Sequence, residues 1–427
     1  MSVVRNRTVG NLSSLACLAV AGALLGLPSP AAADEVFKLK TTVTIPGSSA
    51  TTPFVSGDIS WVDPSLGAYF FADRSLNGID VINTSTKAIT QLDHGGFVGF
   101  TGNNNTSGPN GVLTVDHHAR GDGDHDGDDH HRTEVWAGDG NSTVKVIDYK
   151  TGAVLHTIST SGMNRADELC YDPAEHLITI ANDADSPPFI SFIPTEGPNA
   201  YTVIKQIKFD GLAGDGPNAT NGIEQCQWNP REGRIYLNIP EVNGSGSDTA
   251  DGNVVVIDPR KLEIVRIIDI PIADCAGPQG MALGPAPQIL LGCNAPSIPS
   301  GVRNSVVINE DTGKVISVLA ALGGADEVWF NPGDGHYFLG DSAATPNRII
   351  GVVDSLNDHP DQSIIIAPAT PATNKGSHSV AADPVRNEAY VPIPNNSGST
   401  ICPAPTVGCI AVFGPSGHDD QPAFAGR

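Results

Sequence analysis

A short pattern recurs seven times along this chain: an apolar run ending in Asp-Pro or Asn-Pro, then a second apolar strand ending in Asp or Asn. The copies read SGDISWVDP, GPNGVLTVD, NRADELCYDP, TNGIEQCQWNP, GPQGMALGP, GADEVWFNP and GSHSVAADP. Aligned on the final proline, or on Asp116 in the second copy, they are spaced by 47 to 57 residues. Six positions before each alignment point stands a polar residue: Asp58, Asn110, Asp167, Glu224, Gln279, Asp326 and His378. A unit of this length cannot bury its own faces and must stack on further copies of itself.

Each unit continues with alternating Val/Ile runs broken by Asp or Asn turns, as in VKVIDYKTGAVLHTI and VVVIDPRKLEIVRII. These are antiparallel hairpin signals. Four antiparallel strands per unit predict an all-β, seven-bladed β-propeller over residues 34–414. The last unit lacks a fourth strand, and residues 36–46 (VFKLKTTVTIP) supply one. Pairing there closes the ring and removes an exposed edge. The polar positions then encircle the central channel. Residues 415–427 read as a disordered polar tail.

Residues 1–33 carry Arg5 and Arg7, an apolar run from Leu15 to Leu27, and Ala31-Ala32-Ala33. This is the form of a Sec signal peptide cut after Ala33, which implies a secreted or periplasmic protein. No later segment has the apolar length of a membrane span. The mature chain holds 22 basic and 47 acidic residues. That balance repels nucleic acid and suits cation binding. Nothing bears on oligomeric state beyond a monomer as the simplest expectation. Six cysteines remain after cleavage, an even number in an oxidising compartment. Cys402 with Cys409 and Cys275 with Cys293 are feasible pairs. Cys170 and Cys226 are either a pair between adjacent inner strands or two buried thiols.

The stretches YFFAD, ITIAND, LLGCN, YFLGD and YVPIPN, with VKVIDYKTGAV and VVINEDTGKV, resemble YVTN-type, YncE-like propeller repeats over nearly all the mature chain. That resemblance implies the fold and leaves function open, because fold does not dictate function.

The aligned ring supplies the candidate ligand-binding residues: Asp58, Asn110, Asp167, Gln279 and Asp326, with Glu168 and Glu327 beside two of them. Alternation along a strand predicts that one acid of each adjacent pair turns inward. Oxygen ligands of this kind suit Ca²⁺ or another divalent cation, with Asp167, Glu224 and Asp326 as the metal-binding set at the channel mouth. In residue type the ring resembles regucalcin and gluconolactonase propellers, which hold a divalent ion above the channel. His378, the one imidazole of the ring, and Glu224 are the candidate catalytic residues. A His among acids also resembles the streptogramin-lyase-like enzymes. A polar lining that merely solvates the channel needs the same residue types. A second set, Asp73, Asp139, Asp183, Glu241, Asn294, Asp341 and Asn395, ends the second strands at the same mouth, where such residues also serve turns.

The acidic, His-rich insert at 117–132 offers a second candidate. Asp122, Asp124, Asp126 and Gly127 match the opening of a calcium loop, and Asp128 adds a further carboxylate, but no Glu stands at position 12. Its histidines make zinc, copper or nickel an alternative, and a solvated loop a third reading. Haem, nucleotide and hydrolase motifs are absent. The expected function is therefore binding of a small molecule or divalent metal at the mouth. The alternatives are a metal-dependent lactonase, hydrolase or lyase at the same mouth, and a protein–protein scaffold.

Overall fold

A computed structural model describes residues 36–117, 132–296, 301–320, 322–404 and 407–416. The expected signal peptide, the insert carboxylates Asp122, Asp124, Asp126 and Asp128, and residues 417–427 lie outside them. Seven four-stranded antiparallel sheets form the blades of a propeller. Blades one to six cover residues 60–92, 112–159, 169–208, 226–270, 276–320 and 325–368 in chain order.

Blade seven joins both ends of the fold. Its strands are Ala381–Asp383, Glu388–Ile393 and Cys409–Pro415, with Phe37–Val43 added at the outer edge. The closing strand pairs Phe37 with Pro415 and Val43 with Ile410. Phe37 is buried and meets Phe338 of blade six edge to face at 5.2 Å. Gln362 of blade six also grips it, accepting from its N–H at 2.8 Å and donating to its carbonyl at 2.9 Å.

The core is divided rather than central, because the centre is a channel. Seven apolar clusters each fill one interface between consecutive blades, from blades one and two round to seven and one. Middle strands are therefore covered on both faces, and Ala68–Asp73 is buried throughout. Outer strands show alternation instead, as in Glu263–Ile270. All three feasible cysteine pairs are disulfides: Cys170–Cys226, Cys275–Cys293 and Cys402–Cys409. The first ties the inner strands of blades three and four together.

Candidate functional site: the channel mouth

The ring residues share one backbone device. In blades one to four the ring N–H donates to a second-strand carbonyl: Asp58 to Ala72, Asn110 to Gly138, Asp167 to Ala181 and Glu224 to Asn238. The return bond goes to the next residue along, as from Ala72 N–H to Ile59 O and from Ala181 N–H to Glu168 O. Two residues thus oppose one, which is a β-bulge. In blades five and six the same step appears as a register shift between Pro278 and Met281 and between Ala325 and Val328. The opposing residue must be small where the next blade's backbone crosses it. A Cβ on Gly138 would lie 2.3 Å from Ala166 O, and one on Gly292 would lie 2.6 Å from Ala325 O.

The bulge corrects the expectation from alternation. Asp167 with Glu168, and Asp326 with Glu327, all line one cavity of about 850 Å³. Asp58, Glu224, Gln279 and His378 line it too. Asn110 does not. It is fully buried behind Arg74, accepting from Arg74 Nε at 3.0 Å and donating to Ala166 O at 2.7 Å.

The mouth is less acidic than the ring alone implies, because two arginines enter it. Arg74 pairs with Asp58 and also donates to Asn104 at 2.7 Å. Arg165 bridges Asp167 at 2.7 Å and Asp183 at 2.8 Å. Burial alone would raise Asp167, but Arg165 and Arg74 outweigh it and hold this carboxyl below the usual range. Asp58 feels burial more than Arg74 and is pushed up to about 6. Arg165 stands two residues before Asp167 on extended chain, so a cation at that offset from an acidic ring position was the available signal.

Deeper in the channel, Glu168 and Glu327 are both buried and interact directly. Burial, then their mutual repulsion and the neighbouring acids, push Glu168 well above the carboxylate range. Glu327 is raised by burial and Asp326, while accepting from Gln225 Nε2 at 3.1 Å. Glu224 is raised by burial and by Asp326, Asp183 and Asp167; Gln279 donates to it at 3.3 Å.

His378 sits between two carboxylates. Its Nδ1 is 2.9 Å from Asp326 Oδ2, and its Nε2 is 3.7 Å from Asp58 Oδ1. Burial disfavours the imidazolium, yet the Asp326 hydrogen bond and charge raise its pKa to about 9. At neutral pH it is a cation and a proton donor.

The second set of acids is mostly occupied by turns. Asp73 accepts from the N–H of Ser75 at 2.7 Å, Asp139 from Gly140 at 2.7 Å, and Glu241 from Thr249 at 2.8 Å. The residues before the aligned prolines do likewise, as Asp63 does for Ser65 at 2.9 Å. Trp61 and Trp329 meet edge to face at 5.4 Å although their blades are not neighbours. The small residues of the inner strand of blade seven leave room between them. At the base of the insert, His117 Nε2 lies 2.9 Å from Glu134 Oε2. Among the described residues no group of three or more His, Cys, Asp or Glu side chains is arranged to hold a metal ion, and no helix is long and apolar enough to cross a membrane.

No family model and no curated protein matches the chain. Solved structures do match it, 1344 chains in number, so the architecture is common and does not choose among functions. One, titled "Crystal Structure of Mitotic Checkpoint Complex", aligns with a TM-score of 0.54 and 12% identity. That alignment covers 94% of this chain and 98% of the other. At this identity the likeness is one of fold. The class defined is a seven-bladed β-propeller with a charged cavity at one channel mouth.

Proposed function

We propose that the protein is an exported YVTN-type propeller that binds a small molecule in the mouth cavity. The carrying observation is the convergence of eight ring and ring-adjacent side chains on one cavity of about 850 Å³. That volume suits a metabolite-sized ligand. The three disulfides support an oxidising compartment. The set Asp167, Glu224 and Asp326 fits a divalent cation poorly: Asp167 is already paired with Arg165, and Arg74 and His378 add positive charge nearby.

A second reading is acid catalysis of a lyase or hydrolase type in the same cavity. The observation favouring it is His378, protonated and flanked by Asp326 and Asp58. In that reading His378 donates a proton to a leaving oxygen, and Glu224, whose carboxyl is pushed up by burial and by the acids around it, assists.

The test is a thermal-shift screen of a metabolite library, with and without Ca²⁺, on the wild type, Glu224→Gln and Ala372→Trp. Ala372 lies exposed at the cavity lip, so the tryptophan obstructs entry without touching the core. Hits are expected to stabilise the wild type and to be lost in Ala372→Trp. Hits that survive this variant would place binding elsewhere. Shifts produced by Ca²⁺ alone and lost in Glu224→Gln would restore the metal reading.

A further inference from the structure

The chain is strongly acidic, with a formal charge of −23. Its cations are therefore expected to find carboxylates, and the arginines mostly do. Of the ten described arginines, Arg74, Arg132, Arg165, Arg231, Arg234, Arg260, Arg266 and Arg386 form ion pairs. Arg303 and Arg348 pair with no carboxylate among the described residues, and both line the mouth cavity. Lys375, also without an ion pair among the described residues, lines it beside them.

Both arginines are held by backbone. Arg303 Nε donates to Asn294 O at 2.9 Å, and Arg348 Nη1 to Ala344 O at 3.1 Å. Carbonyl partners orient a guanidinium without neutralising it. Arg348 Nε is buried with no hydrogen-bond partner among the described residues. Two glycines make room for the stems: a Cβ on Gly323 would lie 2.5 Å from Arg303 Cβ, and one on Gly376 would lie 3.1 Å from Arg348 Cβ. The same cavity is also lined by Asp326, His378 and Glu224. Three cations without an ion pair among the described residues thus share one cavity with acids and an imidazolium.

We infer that Arg303, Arg348 and Lys375 form an anion clamp, and that the ligand of the mouth is a hydroxylated monocarboxylate. The inference rests on the mouth being the binding site. A planar guanidinium matches a carboxylate or a phosphate through paired hydrogen bonds. The surrounding acids repel a dianion more than a monoanion, which favours carboxylate. Hydroxyl groups elsewhere on the ligand donate to Asp326 and accept from His378, which line the same cavity.

Calorimetric titration with four probes on one carbon skeleton tests this: glucose, glucosamine, gluconate and glucose phosphate. Gluconate is expected to bind the wild type about ten-fold or more tighter than glucose, the scale of a charge-assisted hydrogen-bond pair. The double variant Arg303→Gln/Arg348→Gln should erase that preference. Arg348→Lys, which keeps the charge but loses the fork, should erase part of it. Arg386→Gln, outside the cavity, should leave it intact. No preference for gluconate over glucose, or no binding of any probe, overturns the clamp. Tighter binding of glucose phosphate overturns the carboxylate assignment. Gluconate binding that survives the double variant but is lost in Ala372→Trp sinks the clamp and spares the mouth; binding that survives both sinks both.

Discussion

Replacing Asp326 with Asn isolates the charge that holds His378 protonated. In the wild type the imidazole is raised from 6.5 to about 9 against the opposing effect of burial, chiefly through Asp326 at 2.9 Å. At about 1.4 kcal/mol per tenfold change in proton affinity, the full rise corresponds to about 3.5 kcal/mol. The side chain is 31% exposed, so solvent screening leaves about 1–2 kcal/mol. A raised histidine stabilises the fold fully below its unfolded value of 6.5, and that contribution disappears as pH climbs through about 9. In Asp326→Asn the imidazole retains burial, Arg74 and the more distant Asp58, so it should titrate near or below 6.5. NMR titration of the imidazole, assigned with His378→Gln, reads the pKa directly. Urea unfolding below 6.5 and above 9 reads the linkage: the wild type should lose about 1–2 kcal/mol more than the variant across that window. A wild-type His378 titrating at or below 6.5, or identical titrations in both proteins, would refute the reasoning.

Glu327→Gln should remove a buried, raised carboxyl. Because its folded pKa lies above 4.5, the wild type loses stability as pH rises from there, so the variant should melt higher than wild type at alkaline pH and alike at acid pH; a lower melting temperature at alkaline pH argues against this account. Phe37→Ala should cost about 3–5 kcal/mol in urea unfolding, since it empties a site between the closing strand and blade six. A cost below about 1 kcal/mol would mean the closing strand adds little. Reduction-proof variants rank the disulfides by loop length: losing Cys170–Cys226, whose partners are 56 residues apart, should cost about 4 kcal/mol in denaturant unfolding. Losing Cys402–Cys409, 7 apart, should cost about 2.5 kcal/mol. The reverse order would contradict the loop-entropy argument.

Much of the architecture is legible in the chain because its signals are local. Period-two apolar runs, Asp and Asn turns and a spacing near fifty residues mark every blade. The missing fourth strand after Cys409–Pro415 points to the spare one at Phe37–Val43. The aligned polar positions point to the channel mouth, and six of the seven, all but Asn110, line its cavity.

The charges followed a different logic. Arg74 reaches Asp58, 16 residues away, and also Asn110 in the next blade, 36 residues away. The bulge that turns Glu168 and Glu327 inward beside Asp167 and Asp326 depends on pairing with a second strand and on a small residue opposite. Arg303 and Arg348 look like any other arginines in the sequence; they differ in forming no ion pair with a carboxylate among the described residues. Strand pattern, repeat number and ring position are properties of neighbouring residues in the chain and could be read there. Which charges are neutralised and which stay open to a ligand depends on distances between blades, and those exist only once the ring has closed.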